Sequence, residues 1–287
     1  IFAHEKLLRL FHIYALIGGM PEVVQNYAKN RDLVPLKSIY ESLLTAYLDD
    51  VQKYANTDLK VELIQHGIQN IFLESGNRIK FAGFANSNYR SDQMSSALRT
   101  LEKAMLIHLV YPSTTNLLPA IPNLKKAPYL QTLDTGLMNF FSGLQANLIG
   151  TKDLHAAYKG RVIHHLTGQM LLTKMHSPLD RLRFWVRDKN QSSAEVDFVY
   201  LFRSMLIPVE VKAGKTGRML SLRQYMETAN HNLSVRIYAG KLSLQYLTNP
   251  SGRSFYLLNL PYFLVELLPE YLEWMQQEIE QNPPIAQ

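Results

Sequence analysis

Two neighbouring segments in the second half of the chain carry charged residues at strand spacing. The segment AEVDFVYLF contains Glu195 and Asp197, and MLIPVEVKAGK contains Glu210 and Lys212. Because alternate residues of a strand point to the same face, a hairpin of these segments would bring carboxylates and an ammonium to one edge of a small sheet. Carboxylate oxygens suit a divalent metal, and a lysine beside them can orient water or offset charge on a phosphate. We therefore take Asp197, Glu210 and Lys212 as the candidate catalytic residues.

The setting of these residues favours a site, because both segments are rich in β-branched and apolar residues and are expected to be central strands. Charges are rare in buried strands unless they pair or bind a metal. The alternative is a structural ion-pair network of strand carboxylates with a neighbouring lysine. Basic residues flank the set and could follow a nucleic-acid backbone. They are Arg181, Arg183, Arg187, Lys215, Arg218 and Arg223.

A nucleotide-binding loop is not expected at the nearby GKT sequence. Gly214 to Thr216 follow a strand and precede a helix, as in a phosphate-binding loop. The full pattern needs another glycine five residues before Gly214, and that position is Val209. We therefore predict no cofactor-binding residues in this chain.

Composition limits the classes of protein that this chain can belong to. Of 287 residues, 47% are hydrophobic and 19% charged, which is typical of a globular protein long enough for two domains. The absence of cysteine excludes disulfides and thiolate metal sites and fits a cytoplasmic protein. The longest apolar run, 198–211, contains Arg203 and Pro208 and is too short and too charged to span a bilayer, so no membrane partner is expected. A net charge of +6 permits a polyanionic partner.

The first half of the chain predicts helices followed by a winged helix. Residues 1–57 show helical periodicity, and residues 58–125 have the order helix, short helix, helix and hairpin. In a winged helix the last helix can enter a major groove, so its outward face is the candidate contact to double-stranded DNA; the alternative is protein packing. That face carries Ser95, Arg99, Glu102 and Lys103.

Residues 126–287 alternate between helical and strand patterns, which predicts a mixed sheet flanked by helices. The segment AYKGRVIHHLTGQMLLTKM is a strongly amphipathic helix. Strands are expected near 182–187, 194–202, 205–212, 234–239 and 254–259, with helices near 218–230 and 269–281.

Several ordered motifs resemble the C-terminal part of prokaryotic AAA-superfamily ATPases. In chain order these are IGGMPEVV, YESLLTAYLDDVQKYA, ALRTLEKAMLIHLV, YLQTLDTGL, YKGRVIHHLTGQMLL and AEVDFVY followed by IPVEVKAGK. The resemblance implies a winged helix and a domain of unknown function similar to PD-(D/E)xK nucleases, hence a mixed α+β or α/β fold. Residues 1–57 would be a lid or linker to an ATPase core. In that family the core and its ATP site lie upstream, so we interpret this chain, which begins without methionine, as a fragment.

The chain departs from the family pattern at one position of the implied metal site. Nuclease-like folds of this type place a third acid on the first helix, and the family has glutamate four residues after the glycine of the KG step. Here that position is His164. The implied metal ligands are then Asp197, Glu210 and His164, a set better suited to manganese or zinc than to magnesium. The alternative is a degenerate site with His164 as an ordinary helix residue.

Three functions remain open at this point. The first is an accessory module that recognises double-stranded DNA or a protein for an upstream ATPase domain, with a degenerate nuclease-like site that holds at most magnesium or manganese. The second is an active, divalent-metal-dependent DNA nuclease, with Lys212 beside the attacking water. The third is a protein-interaction scaffold without a nucleic-acid role.

Overall fold

The computed structural model describes residues 2–145, 160–175, 181–188, 194–214 and 219–282. Among these residues, helices α1 to α9 span Phe2–Ile17, Pro21–Asn30, Leu36–Asp49, Asp58–Glu74, Ser91–Lys103, Thr135–Phe141, Arg161–Leu172, Leu220–Met226 and Leu268–Gln281. Short 3-10 helices span Asp50–Lys53, Phe84–Asn86 and Tyr262–Leu267. Strands β1 to β8 span Ile107–Ser113, Tyr129–Thr132, Arg183–Val186, Glu195–Phe202, Met205–Val211, Leu233–Tyr238, Ser243–Thr248 and Ser254–Pro261.

The strands form one mixed sheet in the order β2-β1-β3-β4-β5-β6-β8-β7. Strand β4 pairs antiparallel with β3 on one side and with β5 on the other, and β5, β6 and β8 run parallel to one another. Strand β1 runs parallel to β3, and β7 pairs antiparallel with β8. Helices at the N-terminus followed by a sheet-rich C-terminal region confirm the predicted mixed class. The likeness to nuclease folds stays a prediction.

The chain divides into two compact units. The sheet unit comprises residues 1–11, 110–126 and 166–287, and the helical unit comprises 12–109 and 127–165. Each unit combines stretches from separate parts of the chain. The division into the segments 1–57, 58–125 and 126–287 stays a prediction.

The core of the sheet unit forms between α8 and one face of the strands. The predicted strands at 182–187, 194–202 and 205–212 are present as β3, β4 and β5, because their apolar residues are buried. Helix α8 packs its apolar side against β4 and β5 and buries apolar residues of both strands. The buried cluster includes Val199, Leu206, Leu222, Tyr225, Met226 and Leu257.

In the helical unit, α4 and α5 follow the predicted order of the winged helix, with a short 3-10 helix between them. Helix α5 buries Met94, Ala97, Leu98 and Leu101, which is the apolar stripe expected from their spacing. The predicted hairpin, in which residues 117–122 form the second strand after β1, is wrong, because those residues contain no strand.

Prolines explain why this hairpin does not form. Pro119 and Pro122 interrupt the segment that was to pair with β1, and a proline has no N–H to donate to a strand ladder. Strand β1 instead lies between β2 and β3 in the large sheet. The winged helix therefore stays a prediction that rests on α4 and α5 alone.

In the helical unit, a network of buried hydrogen bonds holds the C-terminal end of α1 in place. Gly18 has a positive φ of 74°, and the next backbone N–H, that of Gly19, donates to Asp134 at 2.7 Å. Asp134 also accepts from the N–H of Leu137 at 3.0 Å and so caps the N-terminus of α6. Side chains that donate to the last carbonyls of α1, at Ala15, Leu16 and Ile17, are Tyr40, Asn139 and Gln145.

Close packing of main chain against main chain accompanies this network. A Cβ atom on Gly136 would lie 2.0 Å from the carbonyl oxygen of Ile17. That distance is far inside van der Waals contact, so only glycine fits there. The motifs IGGMP and LDTG thus have a structural role in this unit, because each supplies one side of the same junction.

Candidate functional site

Asp197 lies in an irregular stretch of β4. Arg183 pairs with Val199 while Trp185 pairs with Val196, so β4 has one residue more than β3 between these two pairings. Such a bulge re-aims the side chains within it. The Oδ2 atom of Asp197 accepts a hydrogen bond from the backbone N–H of Val211 at 2.7 Å. This bond holds the carboxylate of Asp197 against the end of β5.

The second acid lies near the end of β5, and the lysine directly follows the strand. Glu210 is only 6% exposed, and its Oε1 atom accepts a hydrogen bond from Nζ of Lys212. Its Oε2 atom is buried and has no hydrogen-bond partner among the described residues. The Lys212 side chain is 22% exposed and keeps contact with solvent. Asp197, Glu210 and Lys212 therefore do come together in the sheet unit.

Burial raises the pKa values of both acids. Desolvation raises the pKa of Glu210 to about 7, and the nearby carboxyl of Asp197 adds to the effect while Lys212 opposes it. Desolvation also raises the pKa of Asp197 to about 6, against the hydrogen bond from Val211 and the charge of Lys212. Near neutral pH the two carboxyls therefore hold part of a proton between them.

Two further polar residues lie level with Glu210 on the next two strands of the sheet. Arg236 on β6 lies directly across from Glu210, and Asn259 on β8 lies directly across from Arg236. The guanidinium of Arg236 stacks over the ring of Tyr238 at 4.6 Å, and its buried Nε finds no acceptor in the described part of the chain. Asn259 is fully buried and donates to Oγ of Ser243 at 3.1 Å.

Sequence reasoning missed Arg236 and Asn259. A signal was available, because each interrupts an otherwise apolar strand, in LSVRIY and in SFYLLNLP. Their alignment with Glu210 depends on strand order, which no local pattern contains.

His164, the third predicted metal ligand, belongs to the helical unit. Its ring packs against the ring of Tyr129 with centroids 5.0 Å apart, and the neighbouring His165 accepts from the N–H of Thr132 at 3.0 Å. Over the described ranges, no group of three or more His, Cys, Asp or Glu side chains is placed to hold a metal ion. A role for His164 as third ligand stays a prediction.

The candidate nucleic-acid residues lie on α5. Arg99 and Lys103 are exposed, and Ser95 is half-buried. Glu102 was expected on the same outward face but points to β1, where its Oε1 accepts from the N–H of Leu109 at 2.9 Å. The acid is therefore occupied by the main chain, and the exposed charges of α5 at this end are basic.

The flanking basic residues divide into different environments. Arg223 on α8 donates to the carbonyl of Thr248 at 3.0 Å and to Oδ1 of Asn249 at 3.3 Å, so it clamps the end of β7. Arg181 is exposed, and Arg183 and Arg187 are half-buried. Lys215 and Arg218 lie outside the described residues, as do two residues of the GKT sequence.

Comparisons with known proteins identify two regions of the chain. Residues 8–148 match a domain of unknown function, DUF8612, and residues 159–262 match a domain of unknown function, DUF4143. The second domain is commonly found in proteins associated with AAA-type ATPases. No curated protein and no solved structure matches the chain. None of the helices in the described ranges is both long and apolar enough to cross a membrane.

Proposed function

We propose that the chain is an accessory C-terminal module of a AAA-type ATPase, which recognises DNA or a protein partner for an upstream ATPase domain. The DUF4143 match supports this association. In this proposal the sheet unit is a nuclease-like fold whose acid site no longer performs catalysis. The observation that carries it is the acid cluster itself: Asp197, Glu210 and Lys212 meet, and one oxygen of each carboxylate already accepts a hydrogen bond, from the N–H of Val211 and from the ammonium of Lys212.

DNA is the partner that the charges of α5 support best. Arg99 and Lys103 are exposed one helical turn apart, and Glu102 is withdrawn to the backbone of β1. Exposed arginine and lysine contact phosphates and release counterions, which supplies most of the affinity in non-specific binding. Half-buried Ser95 at the preceding turn adds a hydroxyl that suits a phosphate oxygen.

Duplex binding by fluorescence anisotropy tests this role. We expect the double variant Arg99→Ala, Lys103→Ala to weaken duplex binding about tenfold at low salt and to lower the salt dependence by about two released counterions. The control is Lys37→Ala, because Lys37 is an exposed lysine of the same unit that pairs with Glu41 at 3.7 Å. A parent chain that binds no duplex at low salt would remove the DNA role and favour the protein-interaction scaffold.

An active metal-dependent nuclease is the second candidate, and the free Oε2 of Glu210 favours it. Under that reading Asp197 and Glu210 would hold the ion, and Lys212 would lie beside the attacking water. A plasmid-nicking assay with magnesium, manganese and zinc separates the candidates. We expect the parent chain and Lys212→Ala to be equally inactive; nicking that disappears in Lys212→Ala would establish the nuclease instead.

Metal titration of the variant His164→Glu addresses the missing ligand. If His164 occupies the position of a lost acid, manganese binding should appear in His164→Glu and be absent from the parent chain. Adding Glu210→Gln to that variant should abolish the binding again, because the amide has no negative charge and only one of the two oxygen ligands. Binding that survives Glu210→Gln would place the ion elsewhere.

A further inference from the structure

Strand β7 lies at one margin of the sheet and presents an open main-chain edge. The strand order ends at β7, which pairs with β8 along its whole length, from Ser243 to Thr248. No other strand of the described chain pairs with it. An unpaired strand edge is a row of hydrogen-bonding groups that can accept a further strand.

The hairpin geometry identifies which residues point outward. The N–H of Asn249 donates to the carbonyl of Arg253 at 2.8 Å, which makes these two a hydrogen-bonded pair. Because such pairs alternate along an antiparallel ladder, every second residue of β7 turns its N–H and C=O toward β8. The residues that turn theirs outward are Leu244, Tyr246 and Thr248. The carbonyl of Thr248 also accepts from Arg223, and a second lone pair remains on that oxygen.

Strand β7 itself carries none of the features that usually block strand addition, and the guanidinium of Arg223 lies only at its Thr248 end. Its sequence is SLQYLT, without a charge, a proline or a bulge in its pairing with β8. Natural edge strands are ordinarily protected by one of these features. The tyrosine at its centre, Tyr246, is 50% exposed and packs on Tyr256 with ring centroids 4.9 Å apart.

The strand at the other margin shows the contrast. Within the helical unit, β2 is covered by the chain at 76–79. The N–H of Gly76 donates to the carbonyl of Leu130 at 2.7 Å, and the N–H of Leu130 donates to Asn77 at 3.0 Å. The chain therefore satisfies the edge of β2 with its own backbone, and the described residues provide no such cover for β7.

We propose that β7 is an interaction surface for a second copy of this chain, through antiparallel pairing of β7 with β7 about a twofold axis. An antiparallel pair of identical strands is self-complementary, since each copy supplies the donors that the other accepts. The strand carries no charge that would repel its copy. This inference concerns assembly and is independent of any role in binding DNA.

The direction of the backbone groups also sets the register. Residues whose backbone N–H and C=O groups turn outward must pair with such residues of the second copy. The register in which Leu244, Tyr246 and Thr248 all pair places Tyr246 opposite Tyr246 of the second copy and Leu244 opposite Thr248. The Tyr246 rings then extend the row begun by Tyr256 across the axis. Aromatic cross-strand pairs stabilise a sheet by about 0.2–1 kcal/mol each. Gln245 falls opposite Leu247 and not opposite its own copy.

Cysteine cross-linking tests this register directly, because the parent chain contains no cysteine. Hydrogen-bonded antiparallel pairs have Cα atoms about 5.5 Å apart, which lies within the range that a disulfide spans. We expect Tyr246→Cys to form a covalent dimer under mild oxidation on a non-reducing gel. Gln245→Cys, one residue away, should remain mostly monomeric. Equal cross-linking of both variants, or of neither, would overturn the proposed register and interface.

Sedimentation of the full chain provides a test without cysteine. We expect a concentration-dependent dimer in the parent and a shift of at least tenfold toward monomer in Tyr246→Lys, which places like charges opposite each other. The matched control is Tyr54→Lys, since Tyr54 is 51% exposed and lies in the helical unit. A parent that stays monomeric at every concentration, or a dimer that Tyr246→Lys leaves intact, would contradict the proposal.

Discussion

Two buried carboxylates, Asp134 in the helical unit and Glu210 in the sheet unit, differ in their hydrogen-bond donors, which are backbone N–H groups at Asp134 and a side chain at Glu210. Asp134 accepts from the backbone N–H groups of Gly19 and Leu137 at 2.7 and 3.0 Å. Glu210 has one side-chain partner, Lys212, and a second oxygen without a partner among the described residues. Burial raises the pKa of both groups, but backbone hydrogen bonds oppose the rise at Asp134, whereas the carboxyl of Asp197 increases it at Glu210.

The difference separates a carboxylate that builds the fold from one that is available for chemistry. Main-chain donors are fixed by the helices that carry them, so the position of Asp134 is part of the architecture. The hydrogen-bond partner of Glu210 is the side chain of Lys212, which can move. The second oxygen of Glu210 is buried without a hydrogen bond among the described residues, and such an acceptor costs stability. Unfolding measurements on matched variants test this difference.

The largest effect is expected for Gly136→Ala in the Asp134 junction. The added methyl group would clash with the carbonyl of Ile17, 2.0 Å from the Cβ position, and would force apart the ends of α1 and α6. We expect a loss of about 3–5 kcal/mol in the free energy of unfolding, measured by urea denaturation followed by circular dichroism.

Gly143→Ala is the control for that variant, because Gly143 has a positive φ of 71° but nothing within 4 Å of its Cβ position. Its cost should be about 1 kcal/mol, from backbone conformation alone. Equal losses in the two variants would show that close packing does not hold this junction.

The second effect is a gain of stability in Glu210→Gln at alkaline pH. The pKa of Glu210 is raised in the folded protein, so its contribution is fully present below about pH 4 and is lost as pH rises through about 7. The parent should therefore lose about 1–3 kcal/mol between pH 5 and pH 8, and Glu210→Gln should flatten that dependence. Urea titrations at the two pH values measure it.

Asp134→Asn is the counterpart of Glu210→Gln in the other unit. An amide keeps one acceptor oxygen, so it cannot serve both the N–H of Gly19 and the N–H of Leu137. We expect it to be less stable than the parent by about 1–2 kcal/mol at both pH values. A gain at pH 8 in both variants would erase the distinction between the two carboxylates.

The smallest effect is expected for Lys212→Met. Removing the ammonium leaves Glu210 without a compensating charge, so the variant should lose about 1 kcal/mol at pH 8 and almost nothing at pH 5, where Glu210 is protonated. Lys53→Met is the control, because Lys53 and Asp50 form an exposed pair at 2.5 Å, and such pairs contribute little. The same urea titrations serve as the readout, and a loss in Lys212→Met that does not change with pH would contradict this account.

Local patterns were sufficient to predict the strands that carry the candidate site. Strands β4 and β5 are rich in β-branched and apolar residues, and the charged residues in or directly after each strand are two positions apart, as the two-residue repeat of a strand requires. Because the two strands are also neighbours along the chain, the meeting of Asp197 with Glu210 could be predicted. Adjacent strands joined by a tight connection pair with each other, so short-range information was enough.

Features that depend on long-range pairing could not be predicted in this way. Strand β7 is half-exposed on both faces and lacks the alternation that marks a strand. The neighbours of Arg236 and Asn259 follow from a strand order in which β8 lies between β6 and β7. Strand β1 likewise pairs with β2 and β3 of the large sheet and not with the proline-containing segment 117–122. The hairpin prediction was wrong because these partners are distant in the sequence.

The bulge in β4 makes the acid site unusually easy to lose in a single genetic event. Between Val196 and Val199, β4 holds one residue more than its neighbour β3. An in-frame deletion of the Asp197 codon would therefore restore a regular ladder with β3 and leave the pairing of Phe198 with Val209 unchanged. A lineage can thus lose the carboxylate in a single step that makes the pairing of β4 with β3 more regular.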